Sequence, residues 1–314
     1  MAGIPGRSWK KKVDMHQYVY DNKMMDRIAV ITGATRNLGF ALAEGMAQRL
    51  EPTDTVYLTG RDAARVTESV NRLSNARSKV RGELLDVAKP ATVEGFADLL
   101  TERHGGVDIV FSNHYTRVQP EDDPRAVIDT YIEANNLGTT RVLRSFAPLL
   151  RDGGRLFVVA SRAGSLRALA PALHPRFENL KSLDDVDSAV RRWGDAVRSG
   201  RAPGQAWPAW INIPSKIGQV AAVRVLASQR RADDLRRRIL IASISPGLIE
   251  TGASRAWLDV SGAPQPDEVA GPLLDFALDS SPHESFYGEL VHLGREEPGR
   301  FGSVARNRSI VPWK

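Results

Sequence analysis

Cysteine is absent from the 314-residue chain. That removes disulfide frameworks, thiolate nucleophiles, iron–sulfur clusters and Cys-ligated zinc, and it points toward an intracellular, cytoplasmic protein. No run approaches the roughly 18 consecutive apolar residues of a membrane span. Lys10, Lys11 and Lys12 are not followed by the apolar stretch of a secretion signal, so neither a leader nor an anchor is expected. The six histidines are scattered, HExxH is missing, and His16, His104, His174, His283 and His292 read as surface or core residues with no metal between them. The Gly-x-Ser-x-Gly elbow of hydrolases is missing too.

A surplus of charge is also missing from the middle of the chain. The net charge is +6, yet residues 1–25 hold five Lys/Arg against two Asp, and residues 295–314 hold five against two Glu. The segment between them is neutral, which argues against a nucleic-acid face built into the fold. The chain reads as a basic N-terminal extension (1–25), one domain (26–294) and a basic C-terminal tail (295–314).

What is present is an alternation. RIAVIT (27–32), TVYLT (55–59), a weaker KVRGELL (79–85), VDIVFS (107–112), RLFVVAS (155–161), ILIASIS (239–245) and ELVHL (289–293) read as strands. Amphipathic segments lie between them, as at 38–50. Strand and helix in turn predict a single α/β domain, a doubly wound parallel sheet of Rossmann-like order. Residues 166–207 interrupt the rhythm and are expected to form a lid over the strands' C-terminal ends. Trp193, Trp207 and Trp210, on or beside that insertion, either line an apolar pocket or pack.

The first strand runs into Thr32-Gly33-Ala34-Thr35-Arg36-Asn37-Leu38-Gly39 and then a helix. Glycines let backbone approach a pyrophosphate there, and the helix N-terminus offers free N–H groups. The second strand ends in Thr59-Gly60-Arg61, without the acidic residue that would bind the ribose hydroxyls of NAD. Arg61 and Arg36 offer planar paired donors to a 2′-phosphate, which favours NADP.

With Thr32, Gly33 and Gly39 the turn resembles the TGxxxGxG of the short-chain dehydrogenase/reductase family, with Asn37 in place of the middle glycine. Asn tolerates positive φ better than most residues. The resemblance spans about residues 26–294 and is nearest the carbonyl reductase branch, in which a similar insertion precedes the active-site helix. It implies that Asp86 contacts adenine, that Asn113, the second residue of the NNAG-like segment, lies beside the cofactor, and that Pro246, Gly247 and Thr251 hold the nicotinamide amide. It places the catalytic Asn at Asn135, the Ser at Ser161, and the Lys, which also binds ribose, at Lys216.

The YxxxK tyrosine is replaced by Asn212, and an amide has no proton to give. Pro214 puts Asn212 and Ile213 at or outside the helix start. Where the family has NNAG this chain has Ser112-Asn113-His114-Tyr115, and Tyr115 is the preferred relocated acid, packing being the other reading of the bulky pair His114 and Tyr115. The resemblance implies NADPH-dependent reduction of a ketone or quinone on a fairly large, possibly aromatic small molecule, by a monomer or a homodimer. Two alternatives stay open: a non-redox cyclisation, dehydration or rearrangement, and a catalytically silent NADP(H)-binding protein.

Overall fold

The computed structural model describes residues 26–281, 284–294 and 308–314. The expected N-terminal extension with His16, the segment 295–307, and His283 lie outside the described residues. Seven strands fall on the expected runs: β1 (Ile28–Ile31), β2 (Thr55–Gly60), β3 (Lys79–Leu84), β4 (Val107–Ser112), β5 (Leu150–Val159), β6 (Leu240–Ser245) and β7 (Leu290–His292). They are parallel, in the order β3-β2-β1-β4-β5-β6-β7. β1 and β6 are buried along their whole length, as continuous apolar runs in a sheet covered on both faces should be. β3 read weakly because it is the edge strand, mostly open to solvent.

Around the sheet run α1 (Asn37–Arg49), α2 (Ala63–Arg72), α3 (Pro90–His104), α4 (Pro124–Ile132), α5 (Gly138–Phe146), α6 (Pro175–Glu178), α7 (Leu183–Arg198), α8 (Asn212–Arg236), α9 (Gly252–Arg255) and α10 (Pro266–Leu278). A π-helical turn, Glu133–Leu137, joins α4 to α5. On one face of the sheet Phe157 of β5 meets Phe276 of α10 at 5.2 Å between ring centroids. On the other face Phe96 of α3 lies between Tyr57 and Phe146, at 5.4 and 5.8 Å. β1 has β2 on one side and β4 on the other, so the chain reverses direction across the sheet there and leaves a crevice at the strands' C-terminal ends.

Two expectations are corrected. The segment read as a basic tail ends in an eighth strand, β8 (Ser309–Val311), which pairs antiparallel with β7. Three residues carry no readable alternation, and the pairing is supplied by the free edge of β7. The insertion is mostly a cover for helices rather than a lid over strand ends. α7 is amphipathic and buries Val186, Val190, Trp193 and Val197; an added Cβ on its Gly194 would come within 2.5 Å of Ile132 of α4, and one on Gly218 of α8 within 3.0 Å of Val190. Arg144 of α5 holds its N-terminal end through Asp184 and Asp187. Trp193 and Trp207 are packing residues, 6.2 Å apart and buried. The return of the insertion brings Trp210 against Trp257.

Phe157 touches rings from β4 and α10 and is fully buried. Phe157→Ala is expected to lower unfolding free energy by about 3–5 kcal/mol, whereas Leu84→Ala on the exposed edge should change it by less than about 0.5 kcal/mol. Equilibrium denaturant titration of the two variants measures both.

Candidate active site

The turn after β1 is built as the sequence reading required. Gly33 has φ +62° and Asn37 φ +47°, so Asn does adopt the left-handed conformation where the resembled pattern has glycine. An added Cβ on Gly39 would lie 2.3 Å from the Gly33 carbonyl oxygen, which leaves no room for any side chain. Arg36 sits at the N-cap of α1 in extended conformation, without a side-chain cap and with no acidic residue in the first turn. The first N–H groups of α1 are therefore left for an outside acceptor.

Three other arginines act on the Arg36 charge. Burial, and the charges of Arg117, Arg65 and Arg61, hold the Arg36 guanidinium below its ordinary pKa. Cations crowded this closely are stabilised by an anion, and a 2′-phosphorylated dinucleotide would supply phosphate at both the helix end and the guanidinium cluster. The residues present thus fit NADP. Asp86, beyond β3, accepts from the Ala88 amide at 3.1 Å and lies 3.8 Å from Lys89. Leu38 is buried in the first turn of α1.

The loop after β4 is locked to the turn. Asn113 donates through Nδ2 to the Thr32 and Gly33 carbonyls, both at 3.3 Å. The Thr32 hydroxyl accepts from the Asn113 and His114 amides at 2.9 and 3.2 Å, which leaves its own proton for His114 Nδ1 at 3.1 Å. Burial first, and then the charge of Lys216, pushes the His114 pKa down to about 3. His114 is a neutral imidazole that ties β1 to β4 by accepting from the Thr32 hydroxyl.

Asn135 stands in the π turn, fully buried. Its side chain accepts from the Thr116 amide at 2.7 Å and donates to the Thr116 carbonyl at 2.8 Å. The wider turn frees its backbone carbonyl, which accepts from Thr139 Oγ1 and Gln219 Nε2, each at 2.8 Å.

α8 begins at Asn212, so Pro214 falls in its first turn, where a missing N–H costs nothing. Asn212 therefore lies one turn before Lys216 on the same helix face, as the spacing required. Its Oδ1 accepts from two hydroxyls, Tyr131 at 3.1 Å and Tyr115 at 3.4 Å. The rings of these tyrosines meet edge to face at 6.3 Å. Tyr115 is 37% exposed and Tyr131 is 1% exposed, so only the first opens to the crevice. Burial raises the pKa of both, for Tyr131 well above the ordinary value. Sequence reasoning missed Tyr131; its signal was the spacing of four from Asn135, which puts both on one helical face.

Lys216 is buried, donates to the Val159 carbonyl at 3.1 Å, and lies 5.3 Å from the centre of the Tyr115 ring. Desolvation with no carboxylate beside it lowers its pKa to about 8. Ser161 follows β5 and caps a 3-10 turn, Arg162–Gly164, by accepting from the Ala163 amide at 3.3 Å, which leaves its own proton to donate. Gly164 rests on α8, where an added Cβ would come within 3.1 Å of the Lys216 carbonyl. Past β6, Pro246 leads into Gly247 at φ +83°, and Thr251 caps α9 by accepting from the Ser254 amide at 3.1 Å. Trp210 stacks on Trp257 with centroids 5.5 Å apart, and the Trp257 indole donates to the Val118 carbonyl at 2.9 Å. These rings join the return of the insertion, the loop after β4 and the segment after β6.

Residues 27–171 match the family model described as short chain dehydrogenase. Carbonyl reductase (NADPH) 1 of Mus musculus is 26% identical over 296 residues, covering 91% of this chain and 98% of its own. Carbonyl reductase (NADPH) 3 of Rattus norvegicus is 27% identical over 241 residues, 73% of this chain and 84% of its own. Among solved structures, salutaridine reductase from Papaver somniferum superposes with a TM-score of 0.68 at 21% identity, over 84% of this chain and 99% of that one. The turn after β1, the sheet order and these matches agree: the chain is similar to the short-chain dehydrogenases/reductases, and among them to carbonyl reductases.

Proposed function

We propose that the protein is an NADPH-dependent reductase of a ketone or quinone carried on a fairly large, possibly aromatic molecule, with Tyr115 as its proton donor. The observation that carries this reading is the pair of tyrosine hydroxyls that converge on Asn212, at the position from which the family tyrosine is missing. The relatives named carbonyl reductase (NADPH) support the reaction class and the cofactor.

Bound NADPH supplies hydride to the carbonyl carbon. Ser161, whose proton is free, orients the carbonyl oxygen, and Tyr115 gives that oxygen its proton. Lys216, protonated below its pKa of about 8, stabilises the phenolate left behind. Exposure of Tyr115 lets solvent restore the proton. Tyr131, closed off from the crevice, holds Asn212 and Tyr115 in place. Tyr115, with its pKa raised by burial, is protonated at neutral pH, as a proton donor must be. The stacked Trp210 and Trp257 give the mouth an apolar wall for a flat substrate. Arg61 and Arg36 would hold the 2′-phosphate, and Thr251, Pro246 and Gly247 would hold the nicotinamide amide.

Loss of reduced-nicotinamide absorbance with a panel of quinones and aromatic ketones tests the activity. Tyr115→Phe should lower kcat by about 10²- to 10⁴-fold, and Tyr131→Phe should lower it less. Tight NADPH binding without turnover, in the wild type and in Asn212→Tyr alike, would instead favour the non-redox or silent readings. Arg61→Ala should weaken NADPH by about 10- to 100-fold and leave NADH almost unchanged in fluorescence titration; equal loss of both would remove the 2′-phosphate assignment. The Lys216 cation is present below its pKa and lost above it, so kcat is expected to fall as pH rises through about 8. A flat profile to pH 9.5, a range in which that cation is neutralised, would contradict its role.

A further inference from the structure

We propose that residues 308–314 form a strap that positions the Ser161 loop relative to Lys216, making the end of the chain part of the site's support. The role given to Ser161 rests on the reductase reading above; the mechanical claim does not.

The strap leaves β8 and crosses the end of β5. Ser165 Oγ, on a residue only 3% exposed, donates to the Pro312 carbonyl at 2.6 Å, and the Leu166 amide donates to the Trp313 carbonyl at 2.9 Å. Both bonds hold the chain just beyond the 3-10 turn that Ser161 caps. Beneath that turn is a small apolar cluster of Ala160, Val220 and Leu290, which Val311 and Trp313 close. Ala160 precedes Ser161, and Val220 lies one helical turn after Lys216. The cluster therefore sets the spacing of strand end and helix on which the two side chains stand. The strap is anchored at four more places: Arg308 donates to Asp279 at 2.7 Å, Leu290 pairs with Val311 across the strands, the Arg224 guanidinium lies 5.4 Å from the centre of the Trp313 ring, and Lys314 pairs with Glu178 of α6. Without the strap, Ser165 Oγ and the Leu166 amide lose their acceptors and the cluster loses one wall, while the turn after β1 and the arginine cluster are untouched.

The test compares the full chain with Ser165→Ala, Ser165→Thr and a chain ending at Arg308. Amide exchange over residues 161–166 should accelerate by about 10-fold or more in Ser165→Ala and in the shortened chain, with β6 unchanged. With 1,4-naphthoquinone, kcat should fall by about 10-fold or more, since small misplacement of an orienting group is enough, while the Kd for NADPH stays within about twofold. Ser165→Thr, which keeps the hydroxyl, should recover most of both. The proposal is overturned if exchange over 161–166 is unchanged in Ser165→Ala, or if it accelerates with kcat intact. Should the shortened chain fail to fold, Ser165→Ala decides alone. Should the wild type reduce no carbonyl, the reductase reading fails and the exchange measurement still decides whether the strap holds the loop.

Discussion

The two hydrogen bonds between the Asn135 side chain and the Thr116 backbone hold the candidate site together. A buried amide must satisfy both its ends, and here both are spent on one residue of an otherwise irregular loop. That fixes Tyr115, the preceding residue, over Lys216. The same π turn turns the Asn135 carbonyl toward Gln219, so the helix bearing Asn212 and Lys216 is tied to the helix bearing Tyr131. Loop, helix pair and lysine are thus set by one residue whose polar groups have no solvent to fall back on.

Electrostatics divides the crevice into two regions. Around the turn after β1, Arg36, Arg61, Arg65 and Arg117 place cations near one another, a state stabilised by phosphate. Around Lys216 none of the described residues supplies a carboxylate partner, and burial draws the lysine's pKa down while raising those of the tyrosines. These opposite shifts move the amine and the phenols apart in proton affinity, so the lysine gives up its proton before either tyrosine does. His114, neutral between the two regions, adds no charge to either.

Most of the sheet was legible because its central strands are short β-branched runs buried on both faces, a local signal that survives in isolation. β8 was not, since its partner and not its composition makes it a strand. The insertion's existence was legible and its placement was not: the apolar stripe of α7 says that it must pack, and only the exposed faces of α4 and α8 say where. At the site, the fixed spacing to Lys216 revealed Asn212 as the missing tyrosine. The approach of Tyr131 to Asn212 depends on the phase of α4 against α8, which no single segment encodes. Tyr115 was legible as bulk in a place that expects small residues, and Asn37 as the one non-glycine suited to a left-handed turn.

β8 also settles what the sheet shows to other molecules. An open parallel sheet presents a row of unpaired N–H and C=O groups at its last strand, an invitation to edge-to-edge pairing with another chain. Here β8 occupies that row along β7, and the edge it leaves is three residues long. Pro312 follows immediately and brings no N–H with it. The strand thus acts as a terminator, limiting strand-by-strand growth from one side of the molecule by shortness and by proline.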